Sequence, residues 1–161
     1  MGIASENEWY KAAYYSGAST GADGDGYWLY PTQSNTAPAF GPPFGVANSA
    51  NYTGALTVTD VGAYTGSASH YGTSDQGGNV WEWNDTVDGT SGSRGRRGGA
   101  VEDGDYIFKS SFRGYSLATL ERDDRGFRVT SLAPFPELSA YSAILGCLGL
   151  GLALTRRKGR A

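Results

Sequence analysis

Apolar residues follow two regimes along this chain. Up to about residue 137 they come singly or in short aromatic groups set between glycines and polar residues, whereas from Ala140 to Leu154 they run without a charge. Within the first regime one stretch has helical periodicity. In Ser5-Glu-Asn-Glu-Trp9-Tyr-Lys-Ala-Ala13-Tyr-Tyr15, Trp9, Ala12 and Ala13 recur at i, i+3 and i+4. Ser5 is a candidate N-cap, and Glu8 three residues later completes a capping box, so a helix is predicted over 5–15, ended by Gly17. Tyr27-Trp-Leu-Tyr30 reads as a short aromatic strand stopped by Pro31, and Tyr106-Ile-Phe108 and Gly126-Phe-Arg-Val-Thr130 read as further short strands. Leu56-Thr-Val58 is a short extended piece. Residues 16–26, 31–50 (with four of the six prolines) and 91–99 are turn-rich and predicted as loops. No internal repeat is visible.

The second regime reads as a membrane helix. Leu138 to Thr155 is 18 residues, about 27 Å at about 1.5 Å per residue, the short end of what spans a bilayer. Gly146, Gly149 and Gly151 suit close helix packing. Arg156, Arg157, Lys158 and Arg160 follow directly, and such clusters stay on the cytoplasmic side, which places the body outside. A buried helix of a soluble domain would show a polar face, and this run shows almost none. Pro136, Glu137, Ser139 and Tyr141, then the apolar run, then Arg156-Arg157-Lys158, resemble the PEP-CTERM sorting signal of Gram-negative bacteria, with Leu138 where the second proline of Pro-Glu-Pro stands. The resemblance implies exosortase-type sorting machinery as a partner and a place at the cell envelope. The expected organisation is a domain over 1–131, a linker over 132–139 and a transmembrane sorting tail over 140–161. No signal peptide opens the chain, since Met1 to Trp9 has neither a basic nor an apolar region. An export-type tail without an export signal leads to the expectation that an N-terminal portion is missing.

Composition narrows the chemistry. The sequence has 25 glycines, 11 tyrosines and four tryptophans, which describes a loop-rich fold with aromatic cores. Residues 1–137 hold sixteen acids against nine bases, a net charge of −7, and such a body is not built for nucleic acid. The one cysteine, Cys147, lies in the apolar tail, and the one histidine is His70, so multi-His or multi-Cys zinc sites and cysteine-pair chemistry are excluded on count. Without a nucleophile motif beside it, His70 reads as structural or surface-exposed. Asp23-Gly-Asp25-Gly opens like a calcium loop, but Ser34 stands where the bidentate Glu belongs, so it reads as a solvated turn. Arg94, Arg96 and Arg97 form a basic cluster that should pair with the acidic body.

The most distinctive string is Tyr71-Gly-Thr-Ser-Asp75-Gln-Gly-Gly78-Asn79-Val80-Trp81-Glu82-Trp83. Its glycines allow a tight turn, and its alternation lets one tryptophan enter the core while Glu82 faces a polar site. Asp75 and Glu82, with the carbonyls between them, are hard oxygen donors of the kind calcium takes. The two acids can instead cap turns and pair with arginines, and spacing alone favours that reading.

Gly-Asn-Val-Trp-Glu-Trp83 after Tyr-Gly and an Asp resembles the signature of the formylglycine-generating enzyme, or sulfatase-modifying factor, family. Other landmarks agree in order over about residues 5–131: Ser5-Glu-Asn-Glu-Trp9-Tyr-Lys-Ala-Ala13, Tyr30-Pro31, Val61-Gly-Ala-Tyr64, Arg97-Gly-Gly99 and Gly126-Phe-Arg128. The resemblance implies an α+β, C-type-lectin-like fold with little regular structure and structural calcium. It implies one site at Asp75, Gly78, Val80 and Glu82, and a second at Asn51 and Tyr52. It also implies that the family's copper-binding cysteine pair lies between Arg-Gly-Gly and Gly-Phe-Arg. Residues 100–125 here contain no cysteine, and serine does not replace a soft thiolate for copper(I). No catalytic or cofactor-binding residue is therefore assigned. The expected function is a non-catalytic, envelope-anchored binding or structural module, with envelope polysaccharide or protein as candidate ligands. The alternative is an oxidoreductase of the same fold using other than cysteine chemistry.

Overall fold

The computed structural model describes residues 1–17, 24–43, 45–54, 57–89 and 92–131. The chain divides after Thr130, and the described fold is that of Met1–Thr130. The expected linker over 132–139 and the predicted tail helix lie outside the described residues. Among the described residues, no helix is long and apolar enough to cross a membrane.

The predicted helix is present as α1 (Glu6–Tyr14). Its start is local: Glu8 N–H donates to Ser5 Oγ at 3.2 Å, and Ser5 N–H donates to Glu8 Oε2 at 2.8 Å. α1 buries Trp9 and Ala13 as the periodicity predicts. It also buries Tyr14, whose hydroxyl donates to the Phe108 carbonyl at 2.9 Å. Burial pushes the Tyr14 phenol well above its ordinary range. That hydrogen bond ties two aromatic cores together. Ala4, Trp9, Ala13 and Tyr14 make one, while Tyr30, Tyr52, Trp81, Ile107 and Phe108 dominate the other.

The remaining structure is mostly short strands. A two-residue strand β1 (Gly2–Ile3) opens the chain, followed after α1 by the parallel pair β2 (Ala39–Phe40) and β3 (Ser49–Ala50). The main sheet uses β4 (Trp81–Val87), β5 (Ser93–Arg97), β6 (Gly114–Leu117) and β7 (Arg125–Phe127), in the order β6-β5-β4-β7. β4 runs antiparallel to β5 and parallel to β7, with Trp81 opposite Arg125 and Trp83 opposite both Arg96 and Phe127. β8 (Val129–Thr130) returns to pair antiparallel with β1.

Besides β2 and β3, which lie inside the region 31–50 expected as loop, three further local expectations are corrected. Residues 27–30 are not a strand, because each backbone N–H is met elsewhere. Tyr27 donates to Asp25 Oδ1, Trp28 to the Tyr14 carbonyl, Leu29 to Asn35 Oδ1 and Tyr30 to the Ser34 carbonyl. The aromatic run instead reaches both cores, Tyr27 at one and Tyr30 in the other. Tyr106-Ile-Phe108 is a 3-10 helix (Asp105–Phe108) that buries Ile107 and Phe108 and leaves Tyr106 exposed. The turn-rich region 91–99 holds strand β5, whose inward side chains are Ser93, Gly95 and Arg97. No apolar alternation announces it, because the large side chain it buries is a paired arginine.

Ser5→Ala should lower stability by about 1 kcal/mol in chemical denaturation, the usual cost of losing a cap. The Ser5 hydroxyl, then the Ser5 backbone N–H, hold the Glu8 carboxyl below its ordinary value of 4.5. A lowered folded-state value means stabilisation that is complete above the ordinary value and lost as pH falls through the lowered one. The stability difference between wild type and Ser5→Ala should therefore shrink below about pH 4.5.

Candidate functional site

β4 puts alternate side chains on opposite faces, and the two faces do different chemistry. Glu82 points toward α1. Its Oε2 accepts from Arg128 Nε at 2.6 Å and from the Trp9 indole N–H at 2.5 Å, and its Oε1 accepts from Arg128 Nη2 at 2.7 Å. The same Nη2 donates to the Ser74 carbonyl at 2.5 Å. Burial pushes the Glu82 carboxyl up, against the opposing pull of Arg128 and of the Trp9 N–H. A second buried pair lies alongside. Arg97, almost inaccessible, binds Glu6 Oε1 through Nη2 at 2.5 Å, and its Nη1 donates to the Ser110 carbonyl at 2.8 Å and to the Phe112 carbonyl. Asn84 Nδ2 donates to the other Glu6 oxygen at 2.6 Å. These pairs fulfil the arginine-pairing alternative for Glu82 and, for Arg97, the expected pairing with the acidic body.

The other expected calcium residues divide. Asp75 sits at φ +57°, and its Oδ2 accepts from Gly62 N–H at 2.6 Å. It is near enough to Glu82 to push that carboxyl up a little further. Gly78 (φ +80°) passes so close to Asn51 that a Cβ would meet the Asn51 carbonyl oxygen at 2.3 Å. Asn79, buried at φ +64°, donates its N–H to the Asn51 carbonyl at 2.9 Å and accepts from Asn51 Nδ2 at 3.2 Å. Val80 packs toward Gly126. Tyr52 turns away, with its ring edge on Phe108 at 5.0 Å and its hydroxyl donating to the Pro38 carbonyl. The structure therefore brings Asn51 to Gly78 and Asp75 toward Glu82. Among the described residues it gathers no group of three or more His, Cys, Asp or Glu side chains. Both Glu82 oxygens accept from the Arg128 guanidinium, which engages the carboxylate that a calcium ion at this site would need.

The opposite face of β4 forms the floor of a groove of about 480 Å³. Its walls are Ala100–Asp103 and Arg122–Arg125, with Thr57 and Val58 at one side. Two arginines stack on the two tryptophans along diagonals. Arg96 is register partner to Trp83 but lies over Trp81 at 3.9 Å, and Arg125 is partner to Trp81 but lies over Trp83 at 5.4 Å. Asp124 Oδ1 is shared between Arg125 Nε at 3.1 Å and Arg122 Nε at 3.3 Å. Asp103 Oδ2 accepts from Ala100 N–H at 2.9 Å, which holds the wall. Trp81 of the alternating string and Arg96 of the basic cluster are the residues singled out in the sequence that line this groove. The arginines arrive from β5 and β7, and no spacing rule links them.

The sequence profile described as sulfatase-modifying factor enzyme 1-like domain (FGE-sulfatase) matches residues 2–132. No curated protein matches the chain. A solved structure titled "Crystal Structure of CarF" is similar at 20% identity and a TM-score of 0.49, covering 78% of this chain. This chain spans 45% of that structure's length.

Arg128→Met should cost about 3 kcal/mol in chemical denaturation, because it strands Glu82 in the interior with only the Trp9 N–H. Arg94→Gln, on the exposed face of β5, should change stability by less than about 0.5 kcal/mol.

Proposed function

Starting from a chain that belongs to the sulfatase-modifying factor enzyme 1-like domain family, we propose that it is a non-catalytic binding member, held at the cell envelope by its C-terminal segment. One observation carries the reading. Residues 100–125, between Arg97-Gly-Gly99 and Gly126-Phe-Arg128, contain no cysteine, and their two ends wall a groove floored by Trp81 and Arg96. Where the resemblance implies a copper-binding thiolate pair, this chain has a surface suited to holding a ligand. Envelope anchoring is supported by the uncharged run from Ala140 to Leu154 and the basic cluster behind it. Sorting by exosortase-type machinery is supported by Pro136-Glu137 ahead of that run.

Calcium at Asp75, Gly78, Val80 and Glu82, or at Asn51 and Tyr52, belongs to the same family-derived reading. An ion at the first site has to displace Arg128 from Glu82, so calcium should leave the thermal midpoint of the full chain within about 1 °C. A rise of several degrees would replace the arginine reading with the metal one.

Full-length protein, loaded with copper and given a cysteine-bearing peptide, should yield no aldehyde by mass spectrometry. Aldehyde formation above the copper-only control would refute the non-catalytic reading. Expressed in a Gram-negative host, the full chain should fractionate with membranes, and a chain ending at Ser131 should not. Equal fractionation of the two would sink the anchoring proposal.

A further inference from the structure

We infer that the groove on the outer face of β4 takes a carboxylate-bearing, hydroxyl-rich ligand, a uronic-acid residue whether free or within a polysaccharide, with its carboxylate between Arg96 and Arg125. The inference rests on the binding-module reading above and adds the ligand class to it.

Each of the two arginines keeps one buried donor with no acceptor among the described residues. The Arg125 side chain is only 7% exposed, and its Nε is engaged by Asp124 at 3.1 Å, yet its Nη1 is buried without an acceptor. Arg96 Nε is buried without an acceptor as well. Buried donors are almost always partnered, so two on adjacent cations in one groove point to an acceptor that comes from outside. The cations also oppose each other. Burial first, and Arg125 second, push the Arg96 guanidinium below its ordinary value against the pull of Asp103 and Asp124, and an anion between the two arginines would offset their repulsion. Asp124 accepts from Arg125 Nε and Arg122 Nε and reaches neither of the two orphan donors.

The rest of the groove selects among anions. Four acids, Glu102, Asp103, Asp123 and Asp124, line it with three arginines, Arg96, Arg122 and Arg125, so the lining carries one net negative charge and receives an anion only at the guanidinium groups. A dianionic phosphate group would meet these acids. A single planar carboxylate matches the guanidinium fork, and the surrounding hydroxyls of a sugar acid have the acids to donate to. A volume of about 480 Å³ lies within the range of small-molecule clefts. Access runs through Arg96. Its guanidinium rests on the Trp81 ring, and among the described residues no hydrogen bond or ion pair ties it down. Because Arg96 rests on the Trp81 ring, a ligand that engages its guanidinium should also change tryptophan fluorescence.

The test is calorimetric titration of the full-length protein in detergent with galacturonate, a trigalacturonate, the matching neutral galactose trimer, and inorganic phosphate. The acidic trimer should bind at least tenfold tighter than the neutral one. Arg96→Gln should lose at least tenfold of that affinity with an unchanged circular dichroism spectrum, Arg125→Gln should do the same, and Arg94→Gln should bind as wild type. Arg96→Gln carries the test if Arg125→Gln does not fold. Either order of monomer and trimer supports the inference and tells a free ligand from a polymer. Equal binding of acidic and neutral trimers, wild-type binding by Arg96→Gln, or phosphate competing as well as uronate overturns the carboxylate assignment. If a neutral glycan still binds and Trp81 fluorescence still responds, the binding-module reading survives. If neither these sugars nor a broad envelope-component array binds, both readings fall.

Discussion

A carboxylate buried where a helix meets a sheet has to find its counter-charge inside the protein, and the contact between Glu82, Arg128 and Trp9 is where this fold meets that requirement. It joins three distant pieces of chain: α1, the start of β4 and the link between β7 and β8. Glu6 and Arg97 repeat the device one step along, and there the guanidinium also collects the carbonyls of residues 110 and 112. Ion pairs of this kind add little net stability compared with apolar packing, but a misplaced half is expensive, so they specify a single arrangement. In a chain with so little regular structure, that specificity stands in for long strands and helices.

The two-residue period of β4 then separates roles. Glu82 and Asn84 face the helix and are consumed by structure. Trp81 and Trp83 face the other way and carry arginines from both neighbouring strands. The inner arginines are fully engaged, Arg128 by Glu82 and Ser74, and Arg97 by Glu6 and two carbonyls. The outer ones keep N–H groups without acceptors. The same residue type is thus fully engaged on one face and only partly engaged on the other, where Asp124 reaches Arg125 Nε but no acceptor reaches its Nη1 or Arg96 Nε.

Loops fill the space between, and polar side chains and unusual backbone angles hold them. Gly78 lies against the Asn51 backbone, and Asn79 beside it takes a positive φ while bonding to residues 51 and 59. A side chain at position 78 would push the chain away from Asn51 and open the turn that feeds β4. The string Gly-Asn-Val-Trp-Glu-Trp is thereby explained: close approach at Gly78, a left-handed turn at Asn79, packing toward Gly126 at Val80, the groove floor at Trp81, the lock at Glu82 and a seat for Arg125 at Trp83.

What the sequence determined by itself was local or compositional. The capping box of α1 needs only Ser5 and Glu8, three residues apart, and it formed as read. The family landmarks, the alternation of Trp81 and Glu82 and the uncharged C-terminal run are also properties of short windows. Tertiary structure decided what depends on partners far along the chain. Arg97 meets Glu6 across 91 positions, Trp9 meets Glu82 across 73 and Arg128 meets Glu82 across 46. β5 is a strand because those partners bury its arginine, residues 27–30 are not one because side chains and turns satisfy their N–H groups, and Tyr14 is interior because Phe108 offers a carbonyl. Hydrophobic periodicity registers burial driven by transfer from water. It is blind to burial driven by a paired charge, and here the paired charges hold the helix to the sheet and set the two faces of β4.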